Sequence, residues 1–387
     1  MPFRIVIVGS GIAGLTAAIA LRAPGRQITI LEQSRLLSEI GATISLQPNA
    51  SRIVKDDWKL GGLLDRARGM VDQGFRIYNA EGSLVNNIPL LSKTEYGGDR
   101  LMYHRQDLHE CFRLAATSTE RGGPPATVRT SCRVVDCDCE AGFVTLESGE
   151  QLYADVIIGA DGIHSALRNF VVQQDVQTVP TGLSAYRLVV PSVTLQQQVP
   201  EFYDHIKPIE PFTSMMMAHS CRLIMGPARK STIYSIVGLV PDERMHEEPD
   251  RKQSWKSRGD LDQMLETYKD FPEWVKSVFR LADDIGLWQL RDIDPLSTWT
   301  RGRVILIGDA AHAMLPTQGQ GASQTVEDAE ALGAFFEGIL EAPSPERTAK
   351  ILESVYECRH ARANLIQRYS RDAARPATDK GSNEVKM

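Results

Sequence analysis

Between Ile5 and Gln33 the chain reads IVIVGSGIAGLTAAIALRAPGRQITILEQ, and this stretch constrains the fold more than any other. The apolar run Ile5–Val8 has the character of a buried parallel strand. Gly9, Gly11 and Gly14 complete G-x-G-x-x-G where a helix should begin. Gly9 permits a tight turn, Gly11 keeps a side chain away from a pyrophosphate, and Gly14 lets a helix over 11–21 pack close to the sheet. The first-turn amides and the positive helix end then face the phosphates. A second strand, Gln27–Leu31, delivers Glu32, whose carboxylate can accept from both hydroxyls of an adenosine ribose. A carboxylate there would oppose a 2′-phosphate, so FAD or NAD suits the site better than NADP. The glycines alone are a weak signal; strand, glycines, helix, strand and acid in that order point to a bound dinucleotide without saying which.

With 387 residues and 42% hydrophobic content, the chain can bury large cores in two or three domains. Lys+Arg number 43 against 49 Asp+Glu, so no basic excess is available for nucleic acid. The longest apolar stretches are strand or helix sized, which argues against stable membrane insertion. The first strand begins at once, leaving no room for a cleavable leader. Cys132, Cys137 and Cys139 lack a fourth ligand at zinc-like spacing, and the alternation over 134–147 suits a pair of strands, so no metal is expected. Ordinary thiols and the missing leader together suggest a reduced, cytoplasmic setting.

Changes in pattern divide the chain. Residues 1–73 read as the first part of a dinucleotide-binding domain, in which 36–54 supply a loop, a short strand at Ile44–Leu46 and a helix near Pro48. Residues 74–100 contain two alternating segments around Asn79–Gly82, a β-hairpin belonging to a second domain. Residues 101–180 return to the first domain: a strand at Leu101–His104, a helix capped by Asp107 with Arg105 at its start, a strand over Gln151–Gly159, and a short helix from His164 or Ser165 through Arg168. Residues 181–285 carry long alternating segments, Leu183–Val190, Phe212–Ala218, Cys221–Met225 and Thr232–Val240, followed by two helices over 260–268 and 272–279. They predict a mostly antiparallel substrate domain. Residues 286–342 supply the strand Arg303–Ile307, then Asp309, then a helix beginning after Gly319 and Gly321; residues 343–387 add C-terminal helices and a tail. The class is α/β, with a Rossmann-like nucleotide domain.

Arg35 can stack on or cap an adenine, Arg105 can reach a pyrophosphate or ribitol with forked hydrogen bonds, and Asp161 can cap a helix or accept from a hydroxyl. The helix start near Ala322 can face the pyrimidine edge of a flavin and stabilise negative charge on reduction. His312, between Asp309 and those glycines, has no serine or cysteine partner, which suits holding the loop or touching phosphate.

The segments GSGIAG (Gly9–Gly14), HRQDLHE (His104–Glu110), GADGIHSALR (Gly159–Arg168) and GRVILIGDAAHAMLPTQGQGA (Gly302–Ala322) occur in an order and spacing that is highly specific. The chain resembles the single-component FAD-dependent aromatic hydroxylases of the para-hydroxybenzoate and salicylate hydroxylase family. The resemblance implies FAD, with Asp161 helping both FAD and NAD(P)H handling, Asp309 on ribitol, Arg105 on FAD and Glu32 on the adenosine ribose. Candidate cofactor contacts are thus Gly9, Gly11, Gly14, Glu32, Arg35, Ala42, Arg105, Asp161, Asp309, Gly319, Gly321 and Ala322. It also implies a monooxygenase: NADH or NADPH reduces the flavin in passing, O2 adds at its 4a carbon, and the hydroperoxide hydroxylates a phenolic, salicylate-like or fused-ring aromatic substrate. Pro316 and the Gly319–Gly321 turn would border the inward flavin position. The protein would act as a monomer or homodimer.

The substrate domain matches less well. Relatives place a histidine base in a strand corresponding to Cys221–Met225; here the strand reads CRLIM, with His219 just before it as candidate base. Arg222 is the alternative, as a contact to an acidic substrate. Tyr186 and Arg187 are rival substrate contacts, only one of which should face the pocket. Met215, Met216 and Met217 can line an adaptable apolar pocket. Epoxidation of an activated alkene, an oxidase or dehydrogenase without oxygen insertion, and a non-enzymatic nucleotide-dependent scaffold remain as alternatives.

Overall fold

The computed structural model describes residues 2–35, 42–218, 221–245 and 258–374. The chain opens with β1 (Phe3–Val8), α1 (Ile12–Leu21), β2 (Arg26–Leu31), β3 (Thr43–Leu46), α2 (Pro48–Arg52), α3 (Gly61–Leu64) and β4 (Met70–Val71). It leaves for the hairpin β5 (Gly74–Tyr78) and β6 (Leu84–Pro89), passes α4 (Ser92–Tyr96), and returns along β7 (Leu101–His104) into α5 (Arg105–Thr117). β8 (Thr127–Arg129), β9 (Val134–Asp138), β10 (Phe143–Leu146), β11 (Gln151–Tyr153), β12 (Val156–Gly159) and α6 (Leu167–Val172) follow. The second excursion comprises β13 (Val179–Pro191), α7 (Ser192–Gln198), α8 (Pro200–Ile206), β14 (Thr213–Ala218), β15 (Cys221–Ala228), β16 (Ile233–Pro241), α9 (Leu261–Thr267), α10 (Glu273–Phe279) and β17 (Gly286–Asp292). β18 (Thr300–Arg301), β19 (Val304–Leu306), α11 (Asp309–His312), α12 (Gly321–Phe335) and α13 (Pro345–Ala374) complete it.

The nucleotide-domain sheet has the order β18-β19-β12-β1-β2-β8 and is parallel except where β18 turns back on β19. Central β1 is buried on both faces: Ile5 and Ile7 join the core beneath α1 and α12, while Val6 and Val8 join the core on the side of β9 and β10. Burial from both sides is why the strand reads as a continuous apolar run. A small antiparallel sheet, β3-β7-β4, flanks this domain.

The second sheet has the order β17-β13-β16-β15-β14-β5-β6 and is antiparallel except at the parallel seam between β14 and β5. One face packs on α7 to α10 through residues such as Tyr186, Leu223, Phe202 and Val275. The other face looks toward the nucleotide domain.

Four expectations need correcting. The sheet extends to Asp292, past the expected division at 285, because β17 continues the alternation, with Leu287 in the same core as Tyr186. The expected strand 151–159 is two: β11 pairs with β10, whereas β12 joins the parallel sheet after Asp155 accepts from the Arg4 amide at 2.8 Å. The helix after Asp161 begins only at Leu167, because that carboxylate and Ser165 hold the preceding residues in a turn. Asp107 is not the cap of α5: His104 precedes the helix, and Asp107 is bound by both arms of Arg229 at 2.7 Å.

Behind the turn after β19 lies a buried charge cluster. Asp328 of α12 is 1% exposed; it accepts from the Gly308 amide at 3.0 Å and Arg359 Nε at 3.0 Å, and its Oδ2 lies 2.7 Å from His312 Nε2. Burial works to raise the Asp328 pKa, but His312 and Arg359 outweigh it and hold the value below the ordinary one. A carboxylate with a depressed folded pKa stabilises the fold above its unfolded value and loses that contribution as pH falls through the folded one. Asp328→Asn is therefore expected to lower the unfolding free energy at neutral pH by about 3 kcal/mol. The gap to the native protein should narrow below about pH 4 in urea titrations across pH.

Candidate active site

A cavity of about 430 Å³ lies between the two domains. Gly11 and Ala13 at the start of α1, Arg105 at the start of α5, Gly162 after β12, Asp309 after β19 and Gly321 at the start of α12 line one part. Arg187, Ile224, Val237, Leu239 and Trp288 of the second sheet line the other. Cross-strand register explains the choice of residues. Val237 pairs with both Arg187 and Ile224, so all three point to one face; Tyr186, Gly238 and Leu223, one step along, share the opposite face.

The glycines behave as a cradle. A Cβ at Gly9, where φ is +103°, would sit 2.3 Å from the Ala160 carbonyl oxygen, and one at Gly14 would sit 1.9 Å from the Gly9 carbonyl oxygen. These two close the turn onto neighbouring backbone. At Gly11, Gly162 and Gly321 a Cβ would meet nothing within 4 Å, so backbone faces the open cavity there. The residues before α1 and α12 make no side-chain cap, which leaves the first-turn amides of both helices to other acceptors.

Two strand ends that sit side by side are tied by Arg168, which is 2% exposed. Its Nε donates to the Ala310 carbonyl at 2.8 Å and its Nη1 to Ile163 at 2.8 Å; Nη2 reaches Gly162 at 3.1 Å and Asp309 at 2.9 Å. The Asp309 carboxylate itself stays exposed at the cavity.

Of the expected contacts, Gly11, Ala42, Arg105, Arg187, Asp309, Pro316, Gly319, Gly321 and Ala322 all reach this cavity. Glu32 is held at the glycine turn: its carboxylate accepts from the Ser10 hydroxyl at 2.6 Å, the Ser10 amide at 3.0 Å and the Ser34 amide at 2.8 Å. Arg35 is exposed and does not line the cavity. Asp161 commits both carboxylate oxygens to Ser165 Oγ and the amides of Ala166 and Leu167, so it shapes the turn carrying Gly162; burial raises its pKa.

Several substrate-side expectations fail. Tyr186 is fully buried in the core of the second domain, edge-on to Tyr268 at 6.1 Å, because its neighbour Arg187 takes the cavity face. Arg222 points at the end of α13, where Nη1 donates to the Ala373 carbonyl at 2.8 Å. Met216 is buried in the core and Met217 is exposed; neither they nor Met215 line the cavity, which instead takes Met102, Met225 and Met314. His312, expected to hold the loop or touch phosphate, is buried behind the turn on Asp328, which also accepts from the Gly308 amide; this placement fits holding the loop. His219 lies outside the described residues.

Residues missed by the sequence reading include Arg100, Thr213 and Trp288. Arg187 lies over the Trp288 ring at 4.0 Å; burial, with the charge of Arg105 beside it, pulls its pKa down to about 9. No local pattern marks a tryptophan on the neighbouring strand, about a hundred residues further along the chain, as the partner of an arginine.

Residues 3–370 match a family model described as an FAD binding domain. The chain belongs to that family. Among its curated relatives are hispidin-3-hydroxylase of Neonothopanus nambi, 34% identical over 86% of this chain and 80% of the relative, and 3-amino-4-hydroxybenzoate 2-monooxygenase of Streptomyces cremeus, 30% identical over 88% and 80%. A salicylate hydroxylase substrate complex superimposes with a TM-score of 0.78 at 27% identity, covering 99% of this chain and 92% of that one. The chain is thus an FAD-dependent monooxygenase of the aromatic hydroxylase type, with FAD as its cofactor. The open glycine faces, the two uncapped helix starts and the exposed Asp309 suit an extended dinucleotide in this flavoenzyme.

Asp309→Ala is expected to weaken FAD affinity by about 2 kcal/mol, roughly 30-fold. Flavin fluorescence titration and cofactor content after gel filtration measure this, and unchanged retention would remove Asp309 from the binding set.

Proposed function

We propose that this monooxygenase hydroxylates an electron-rich aromatic ring bearing an anionic group, phenolate or carboxylate, held against the second sheet. One observation carries the reading: residues of the nucleotide motifs and residues of the sheet face line the same cavity. FAD, reduced by NADH or NADPH, supplies the electron transfer and the activation of O2. Gly11 and the α1 amides would hold its pyrophosphate with Arg105, Asp309 would accept from ribitol, and Glu32, braced by Ser10, would hold the adenosine ribose. The start of α12 at Gly321 and Ala322 would stabilise negative charge on the ring system.

On the substrate side, Arg187 is the anchor. A half-buried guanidinium set in the cavity wall gains more from an incoming anion than a surface arginine would, because less solvent screens the pair. Stacking on Trp288 fixes its direction. Leu239, Trp288, Leu290 and Leu315 form a buried apolar cluster around it and exclude water from the ring. Pro316 and the Gly319 turn bound the same space from the nucleotide domain. The relatives that act on hispidin, an aminohydroxybenzoate and salicylate support an aromatic substrate.

No described helix is long and apolar enough to cross a membrane, and all six cysteines are free thiols. The free thiols support a reduced, cytoplasmic setting, in which the protein would act on a diffusible small molecule as a monomer or homodimer.

The test is turnover of candidate phenols and phenolic acids under labelled dioxygen. One labelled oxygen atom in the product ring is expected, and peroxide release without incorporation for every candidate would defeat the reading. Arg187→Ala should raise KM for an anionic substrate at least tenfold, about 1.4 kcal/mol, while FAD content is unchanged. An equal KM would exclude the anchor role.

A further inference from the structure

The chain crosses from the nucleotide domain at Asp72, just after β4, and comes back at Arg100, immediately before β7. The crossings are fastened to each other. The Asp72 amide donates to the Arg100 carbonyl at 2.9 Å, and the Asp72 carboxylate pairs with Arg100 Nη1. The Asp72 side chain is wholly buried, and that of Arg100 is 11% exposed.

From this pair, contacts run in two directions. Toward the substrate sheet, Arg100 Nη1 donates to Thr213 Oγ1 at 3.1 Å, and that hydroxyl donates to Asp72 Oδ2 at 2.7 Å. Toward the nucleotide domain, Arg100 Nη2 donates to Ser45 Oγ at 3.4 Å, and Ser45 donates to the Gly319 carbonyl at 3.3 Å. Gln47 Nε2 donates to the same carbonyl at 3.2 Å. Gly319, with φ of +61°, is the turn from which the chain enters α12. Arg100, Ser45, Thr213 and Gly319 all line the cavity.

We propose that Arg100 is a positioning residue: it carries the seam between the domains through Ser45 to the Gly319 turn and so aligns the start of α12 with the reduced flavin. This rests on the FAD placement proposed above. A single guanidinium reaches Asp72, Thr213 and Ser45 because its donors form a rigid planar fork, which an ammonium cannot reproduce. A buried carboxylate on one arm keeps the fork from swinging away. The hydroxyl relay to Gly319 is long and individually weak, so its work is alignment. Alignment matters here because helix-end electrostatics fall off within a turn. Loss of the relay should leave FAD bound and change how strongly the protein prefers the reduced flavin over the oxidised one.

The experiment uses the full-length FAD-loaded protein and reads the two-electron midpoint potential by dye-linked titration, beside FAD affinity and thermal midpoint. Ser45→Ala leaves the Asp72–Arg100–Thr213 contacts in place; Arg100→Lys keeps the charge and removes the fork. Both are expected to bind FAD within threefold of the native protein and to prefer reduced flavin at least fivefold less, a fall of about 20 mV. A purely structural role would lower the thermal midpoint and leave the potential unmoved. A native potential in both variants, or loss of FAD from Ser45→Ala, overturns the proposal. If Asp309→Ala keeps its cofactor, the fault lies in the placement of FAD; if Asp309→Ala loses it and both relay variants keep the native potential, the fault lies with Arg100.

Discussion

The site depends on one buried arginine. Arg168 spends every arm of its guanidinium on backbone carbonyls of two turns, Gly162–Ile163 after β12 and Asp309–Ala310 after β19. Parallel pairing of the strands sets the turns side by side, but the ladder ends where the Ile307 amide donates to the Gly159 carbonyl, short of the turns themselves. Burying a charge is tolerable only when its donors are satisfied, and carbonyl oxygens satisfy these. The arginine thereby leaves the Asp309 carboxylate unconsumed and facing the cavity, although its main chain is pinned.

Much of this was legible in the sequence because the nucleotide domain is built from local signals. Gly9 and Gly14 announce a turn whose geometry only glycine tolerates, Gly11 leaves its backbone open to the cavity, and Asp309 follows closely on a buried apolar strand. The substrate face was harder to read. Tyr186 and Arg187 are adjacent, and alternation says only that one of them faces the cavity; the choice is made by α9, whose flank supplies Tyr268 to receive Tyr186. Arg222 reads locally as a substrate contact, but its guanidinium is taken by the end of α13. Asp107 looked like a helix cap, but Arg229, more than a hundred residues away, claims it. In each case the deciding partner is distant in sequence, and a side chain with two sound local uses is assigned by tertiary contact.

The two walls of the cavity use different physics. The nucleotide side is mostly backbone: open glycines and helix starts, whose partial charges are fixed in place and need no reorganisation when an anion arrives. The sheet side is mostly apolar surface around two arginines, the stacked Arg187 and Arg291 of β17, so recognition there falls on shape and a few charges. This division fits a family whose cofactor is constant and whose substrates vary, since strand side chains on one sheet face can be exchanged without disturbing the glycine turns.

The parallel sheet has a further consequence for how the protein is made. β12 lies between β1, at the very start of the chain, and β19, which is synthesised only after the whole second sheet. Translation therefore delivers a nucleotide domain with one strand of its centre still unpaired along an edge while β13 to β17 emerge. The second sheet, in which three of six pairings join strands adjacent in sequence, can begin to assemble during that interval. Neither domain is a continuous stretch of polypeptide, so cutting the chain at any single point yields no free-standing flavin-binding half.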